Sequence, residues 1–184
     1  HAVYDVVIVG AGPAGIFAGL EIARRSSLRV LVIEKGRDIK GRRCPASERK
    51  AQCVNCDPCG IISGWGGAGA FSDGKLTLCA DVGGMLDTYI GRADLLNLID
   101  EVDRVYLHYG APEKVYGEYD ERVAALCDQA RLADMVLVPA KIRHMGTGRT
   151  ANILQAMYDD LIKRVDVELR TSADRVVAED GRVR

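Results

Sequence analysis

Apolar residues along this chain fall into short blocks whose spacing changes from one block to the next. Tyr4 to Val9 is an unbroken Val/Ile-rich run, the pattern of a parallel strand buried on both faces. GAGPAG follows, then an apolar stretch from Pro13 to Arg25 with helical character, then a second buried strand from Leu28 to Ile33 closed by Glu34, Lys35 and Gly36. Strand, tight turn, helix and strand fit the size of one βαβ unit. Periodicity then stops. Residues 37–60 are polar, basic and cysteine-rich, and 60–74 hold six glycines, which predicts an irregular loop; connections this long in a compact domain are usually functional.

Further on, Leu95, Leu96, Ile99, Val102 and Tyr106 recur at helical spacing within Asp94–His108, and a second helix is predicted over Asp120–Ala133. Met135 to Arg143 reads as extended, with Pro139 favouring an edge. Thr150 to Arg164 is predicted helical, with Ile153, Leu154, Met157, Leu161 and Ile162 on its buried side. Val165 to Arg170 reads as a strand, and Asp180-Gly181 as a hairpin turn.

The length of 184 residues suits one substantial core rather than two domains. Composition is that of an ordinary globular protein, 48% hydrophobic and 28% charged with a formal net charge of -1, so nothing electrostatic points to a nucleic-acid partner. No apolar run reaches the ~20 residues that span a bilayer. The opening VYDVVIVG lacks a basic leader and runs straight into a glycine turn, unlike a signal peptide. A cytoplasmic location is therefore expected, with the six cysteines as thiols or ligands rather than disulfides. The chain starts on His1, and its last residues read as a hairpin barely begun, so both ends look trimmed.

Gly10, Gly12 and Gly15 have the G-x-G-x-x-G spacing, and each glycine has its own task. Gly10 allows the sharp exit from the strand, Gly12 removes a side chain that would block a pyrophosphate, and Gly15 lets helix and strand approach. Together with Pro13 and Ala14 they bring bare amides and the positive helix end to the diphosphate. Glu34, 19 residues past Gly15, is placed to accept hydrogen bonds from the adenosine ribose hydroxyls and to repel a 2′-phosphate. The fingerprint leaves FAD and NAD open, since both carry the same adenosine diphosphate.

Cys53, Cys56 and Cys59 form C-x2-C-x2-C, and Cys44 is an obvious fourth ligand for an iron-sulfur cluster or a tetrahedral zinc. A thiol pair exchanging electrons is the other reading, free loop thiols the plain one. Cys79 and Cys127 sit on apolar stretches and are expected in the core, and Trp65 is expected as a packing anchor. The nearby Arg37, Lys40, Arg42, Arg43, Arg49 and Lys50 read either as a solvated face or as counter-charges to phosphates or a cluster. His144 lies in KIRHMGTGRT before a helix, where it is either an acid/base group or simply exposed. Gly146, Thr147, Gly148 and Thr150 suit a helix start with an anion contact.

GAGPAG followed by VIEKG resembles the FAD domains of glutathione-reductase-like flavoproteins. More narrowly, RRCP, CVNCDPC, GWGGAGAFSDGKL and KIRHMGTGRT together resemble an uncharacterised family of bacterial and archaeal FAD-dependent dehydrogenases, over nearly the whole chain. The resemblance implies an α/β, Rossmann-type FAD/NAD(P)-binding fold that is incomplete, its C-terminal closing segment missing. Residues 1–184 would be the N-terminal portion of the FAD-binding domain, with a Cys/Gly-rich loop insert at 37–75 and the start of a hairpin at 175–184. It implies an FAD-dependent oxidoreductase acting on an unknown small-molecule substrate or electron carrier, with the fragment alone inactive or not. Cofactor contacts would come from the Gly10–Gly15 turn, Glu34, Lys35, Arg43, the loop residues Gly66, Gly67, Ala68 and Gly69, and Ala173 beside the adenine. Lys75 would place a positive charge near the flavin, unless it is simply solvated. The competing expectation is an electron-relay protein built on the Cys44/Cys53/Cys56/Cys59 cluster.

Overall fold

A computed structural model describes residues 3–146 and 148–183, with Arg182 described by its backbone only. Along the chain the elements are β1 (Val6–Val9), α1 (Pro13–Arg25), β2 (Val30–Glu34), α2 (Pro45–Arg49), a 3-10 turn (Gly67–Phe71), β3 (Lys75–Thr77), α3 (Asp87–Ile90) and α4 (Arg92–His108). They continue with β4 (Val115–Tyr116), α5 (Glu121–Leu132), β5 (Ile142–His144), α6 (Arg149–Leu161), β6 (Asp166–Leu169), β7 (Ala178–Glu179) and β8 (Arg182–Val183). The chain forms two compact units, the first from His1–Phe71 with Leu154–Arg184, the second from Ser72–Ile153.

The first unit is α/β. Its sheet has the order β1-β2-β6, all parallel, with Val6 to Val9 opposite Val30 to Ile33 and Leu31 to Glu34 opposite Asp166 to Leu169. β2 is central and buried along nearly its whole length. The core gathers Ile16, Val30, Val32, Trp65, Leu154, Met157 and Leu161. Gly19 brings α1 against Leu161, since a Cβ there would lie 3.1 Å from that side chain. Trp65 is fully buried, meets Tyr158 edge-on at 4.9 Å and donates its indole N–H to the Leu154 carbonyl at 2.8 Å, so it is the packing anchor expected of it.

β1 departs from the expectation of burial on both faces. Ile8 points at α1, but Val7 and Val9 are 48% and 63% exposed, because β1 is the outer strand of this sheet and α1 covers only one side. An all-apolar run cannot reveal this, since its two faces are chemically alike.

The second unit pairs β3 and β4 on either side of β5, antiparallel, and α4 contributes the buried Tyr106. Arg143 on β5 is buried and grips Asp103 of α4 with both ends of its guanidinium, at 2.6 and 2.7 Å, a paired geometry that offsets the cost of burial. The extended stretch expected over 135–143 narrows to three residues, and Met135 to Val138 are exposed. α6 carries Ile153, Leu154, Met157 and Leu161 inward as predicted, but it stops at Leu161, which leaves Ile162 45% exposed. Cys79 and Cys127 are half-buried rather than core residues. Asp180 and Gly181 both take positive φ, 52° and 73°, the paired left-handed turn of a two-residue hairpin.

Gly15 is the tightest point of the βαβ unit. A Cβ at this position would lie 1.9 Å from the Gly10 carbonyl oxygen, and that oxygen belongs to backbone that cannot swing away. Gly15→Ala is expected to lower stability by about 1–3 kcal/mol, the usual range for overpacking, read as a shifted denaturation midpoint.

Candidate functional site

The site is built where β1 turns into α1. Gly10 leaves the strand at φ +99°, a conformation that glycine adopts without strain, while its N–H still bonds the Ile33 carbonyl at 2.7 Å. Gly12 is the N-cap of α1, with Pro13 as the first helical residue and no acidic side chain in the first turn. The positive end of the helix dipole is therefore not compensated from within its own first turn, and Arg24 and Arg25 complete the polarity at the far end.

Glu34, the last residue of β2, is 6% exposed and turns its carboxylate toward this corner. Oε2 accepts from the Ala11 amide at 2.8 Å, and Oε1 accepts from Gly36 at 2.8 Å and from Gly64 at 2.9 Å. The sequence predicts a carboxylate reserved for ribose hydroxyls; the structure shows one already committed to three backbone donors. A carboxylate offers about four acceptor positions, so one on Oε2 is left. Glu34 is thus first a brace, drawing the glycine turn, the end of β2 and the glycine-rich loop onto one charge.

That loop runs against the turn. The Gly66 amide bonds the Ala11 carbonyl at 2.8 Å, and a Cβ on Gly67 would come within 3.4 Å of Gly12 Cα. Arg42, buried at 5% exposure, holds the loop from below: Nε donates to Gly60 O at 2.9 Å, Nη1 to Trp65 O at 2.7 Å and Gly67 O at 2.8 Å, and Nη2 to Ile61 O. Its guanidinium lies 4.7 Å from the Phe71 ring. Burial draws the Arg42 pKa down, while the Glu34 carboxylate and the Cys59 sulfur push it back up. Among the basic residues of 37–50, this one is not solvated; it is an internal clamp that the sequence does not mark. Lys35 and Arg43 are exposed, with Arg43 facing Glu48 at 3.9 Å. Ala173 is exposed two residues past Thr171, whose amide bonds the Glu34 carbonyl at 3.0 Å.

The two catalytic candidates meet in the second unit. Lys75 and His144 are opposite each other across β3 and β5, Lys75 Nζ is 2.7 Å from Asp73 Oδ2, and His144 Nε2 is 3.1 Å from Asp73 O. The ammonium beside it holds the Asp73 carboxyl below its ordinary range, so the charge on Lys75 is already matched locally. Gly146 and Gly148 both take positive φ, and Thr147 lies outside the described residues. Thr150 is buried, and its hydroxyl has no hydrogen-bond partner among the described residues.

Cys44, Cys53, Cys56 and Cys59 line one cleft, but among the described residues no three His, Cys, Asp or Glu side chains converge to hold a metal ion. The expected cluster or zinc geometry is not formed by the described residues. Cys44 Sγ accepts from Ser47 N at 3.5 Å as the N-cap of α2 and Cys53 Sγ from Asn55 N at 3.4 Å, while the nearby Ile61 and Ile62 amides draw the Cys59 thiol below its ordinary pKa.

A diphosphate fits the first unit on one observation. A Cβ on Gly12 would meet nothing within 4 Å, and its φ of -72° is open to any residue, so neither packing nor backbone strain calls for glycine there. The space in front of the bare helix end is left open.

Strand, glycine turn, helix and acid-ended second strand define the Rossmann-type α/β class. Residues 4–54 match the family model described as pyridine nucleotide-disulphide oxidoreductase. A protein of Clostridium beijerinckii (strain ATCC 51743 / NCIMB 8052), described as uncharacterized, is 47% identical over 73 residues, 39% of this chain and 13% of that protein. Among solved structures, the Mycobacterium smegmatis Sdh1 complex in the apo form matches 98% of this chain and 30% of its own at 18% identity and a TM-score of 0.52. The L-amino acid deaminase from Proteus vulgaris matches 98% of this chain and 43% of its own, at 15% identity and a TM-score of 0.45. The chain thus spans less than half the length of each of these proteins. No described helix is long and apolar enough to cross a membrane.

Proposed function

We propose that the first unit holds the adenosine diphosphate half of FAD and that the protein is an FAD-dependent oxidoreductase. The diphosphate sits on the amides at the start of α1, over Gly10 and Gly12, with the glycine loop Gly66–Gly69 along its side. One ribose hydroxyl donates to the remaining acceptor position on Glu34 Oε2, and the carboxylate disfavours a 2′-phosphate at the same place. Lys35, Arg43 and Ala173, all exposed, are the further contacts this reading gives to phosphate oxygens and the adenine edge. FAD supplies hydride or electron transfer at its isoalloxazine ring; the chain binds it, orients it and sets the charge around it. In the second unit the Asp73, Lys75 and His144 group is the candidate for handling protons. The match of residues 4–54 to a dinucleotide-using family supports the reading, and the unfilled space in front of Gly12 carries it.

Gly12→Asp separates binding from stability. Aspartate is a better N-cap than glycine and favours the helix dipole, so the variant should fold at least as well as the parent. Its charge would stand beside the diphosphate, and two like charges ~4 Å apart near a protein surface repel by about 4 kcal/mol. FAD affinity, followed by quenching of flavin fluorescence, is expected to fall at least about 100-fold. Unchanged FAD binding by Gly12→Asp would end this reading, as would a parent protein that takes NAD in preference to FAD.

A further inference from the structure

The edge of the parallel sheet opposite the glycine turn carries a second opening. The turn from α1 into β2 and the turn from α6 into β6 border one cleft of about 310 Å³. Small-molecule sites usually measure about 300–1,000 Å³, so this volume suits a compact ligand. Its charge is uneven: Arg29, Lys163 and Arg164 supply three cations, and Asp166 is the one carboxylate in the lining. Among the described residues none of the three cations has a carboxylate within hydrogen-bond distance. Lys163 Nζ and Arg164 Nη2 share Asp160 at 3.8 and 3.6 Å, and the Arg29 guanidinium lies 5.4 Å from the centre of the Tyr4 ring. Asp166, by contrast, is engaged, since it accepts from the Tyr4 hydroxyl at 2.9 Å.

The rest of the lining completes the picture. Ser27 adds an amide and a hydroxyl with no partner among the described residues. Leu28 and Ile162 border the same cleft, and both are nearly half exposed. At the two helix ends the Ile22 carbonyl is taken by Ser26 and the Leu161 carbonyl by the Arg164 and Val165 amides, so part of the negative pole there is already satisfied.

We propose that this cleft binds a soluble phosphomonoester, with the phosphate held by Arg29, Lys163 and Arg164, Ser27 as a further donor, and the organic part against Leu28 and Ile162. Guanidinium groups present parallel N–H pairs that match two phosphate oxygens. Three cations against one carboxylate favour a dianion over a singly charged acid. Open α/β sheets take their main ligand beyond the C-terminal ends of the strands, whereas this cleft lies at the N-terminal ends of β2 and β6. It is therefore a separate site, and it stands or fails independently of the FAD assignment.

The test follows the backbone amides of the whole ¹⁵N-labelled chain by NMR during titration with butyl phosphate, against sodium chloride at matched ionic strength. The Ser27, Arg29, Lys163 and Arg164 amides are expected to move on one saturable curve. Methyl phosphate, equal in charge, should need several-fold more ligand to saturate, because it leaves Leu28 and Ile162 uncovered. Changing Arg29→Gln and Arg164→Gln together is expected to weaken binding at least about tenfold through lost charge-assisted hydrogen bonds. Both side chains are exposed, so the remaining spectrum should be unchanged; if the pair does disturb the fold, Lys163→Gln alone carries the test, with weaker binding expected. Shifts confined to Gly10–Gly15 would place the anion on the glycine turn and overturn the proposal. So would a response equal to that of chloride, a curve unaltered by the variants, or binding to phosphatidic acid vesicles with no response to butyl phosphate.

Discussion

Replacing Glu34 by alanine is expected to be among the most damaging single changes in the first unit, lowering stability by about 4 kcal/mol or more. Three amide donors, those of Ala11, Gly36 and Gly64, converge on this carboxylate at 2.8–2.9 Å in a buried place. A hydrogen bond to a charged group contributes about 1.5–3 kcal/mol, and a buried donor left without a partner costs about 1–3 kcal/mol. The three share one acceptor group, so their losses do not add in full. Even so, the total is a large part of the 5–15 kcal/mol that holds a typical domain together. Glu34→Gln is the finer probe. Its carbonyl oxygen can take the Oε1 position and keep Gly36 and Gly64, but its NH₂ then faces the Ala11 N–H, donor against donor. About half of the alanine loss is expected. Trp65, the single tryptophan and fully buried in this unit, reports the unfolding by its fluorescence. A glutamine variant as stable as the parent would show that the carboxylate does not brace the turn.

Arg42 is expected to come next. Its fork of N–H groups meets four carbonyls at once, from Gly60, Ile61, Trp65 and Gly67. Arg42→Lys preserves the charge but offers three donors at a single point on a flexible stem, which cannot span that arrangement. A loss of about 2–3 kcal/mol is expected for lysine, and more for methionine, which leaves every carbonyl without its donor. The two variants also carry a binding signature. Because Gly67 lies against Gly12, loosening the loop should weaken FAD binding even where the protein remains folded. A lysine variant matching the parent in both midpoint and affinity would remove Arg42 from the site's support.

How much of this was legible beforehand depends on whether the determinant is local. The βαβ unit was, because VVIV, GAGPAG and VLVIE carry their strand, turn and helix signals within a few residues of one another. Gly15 was read for its true reason, a close approach of helix to strand. The direction of Glu34 was not, since its partner Gly64 is 30 residues away in a loop with no period. Arg42 was hidden among other basic residues, and nothing in composition separates a buried arginine from a solvated one. Strands of two residues or three, such as β4 and β3, are too short to display alternation, so of the sheet in the second unit the sequence marks only β5, inside a longer extended stretch. The clustering of four cysteines is plain in the sequence, but spacing alone does not say whether their sulfurs converge, and among the described residues they do not form a metal-holding group.

The order of strands in the first unit bears on how the chain reaches its fold. β2 lies between β1 and β6, yet β6 follows it by roughly 130 residues, with the whole second unit in between. During synthesis, at ~5–20 residues per second, β1, α1 and β2 emerge and can pair several seconds before β6 exists. Through that interval one side of β2 presents unpaired amides and carbonyls flanked by Val30, Leu31 and Val32, an invitation to pair with another chain. Once β6 has emerged, an intervening segment that has already folded leaves a shorter effective loop to close before β6 pairs with β2.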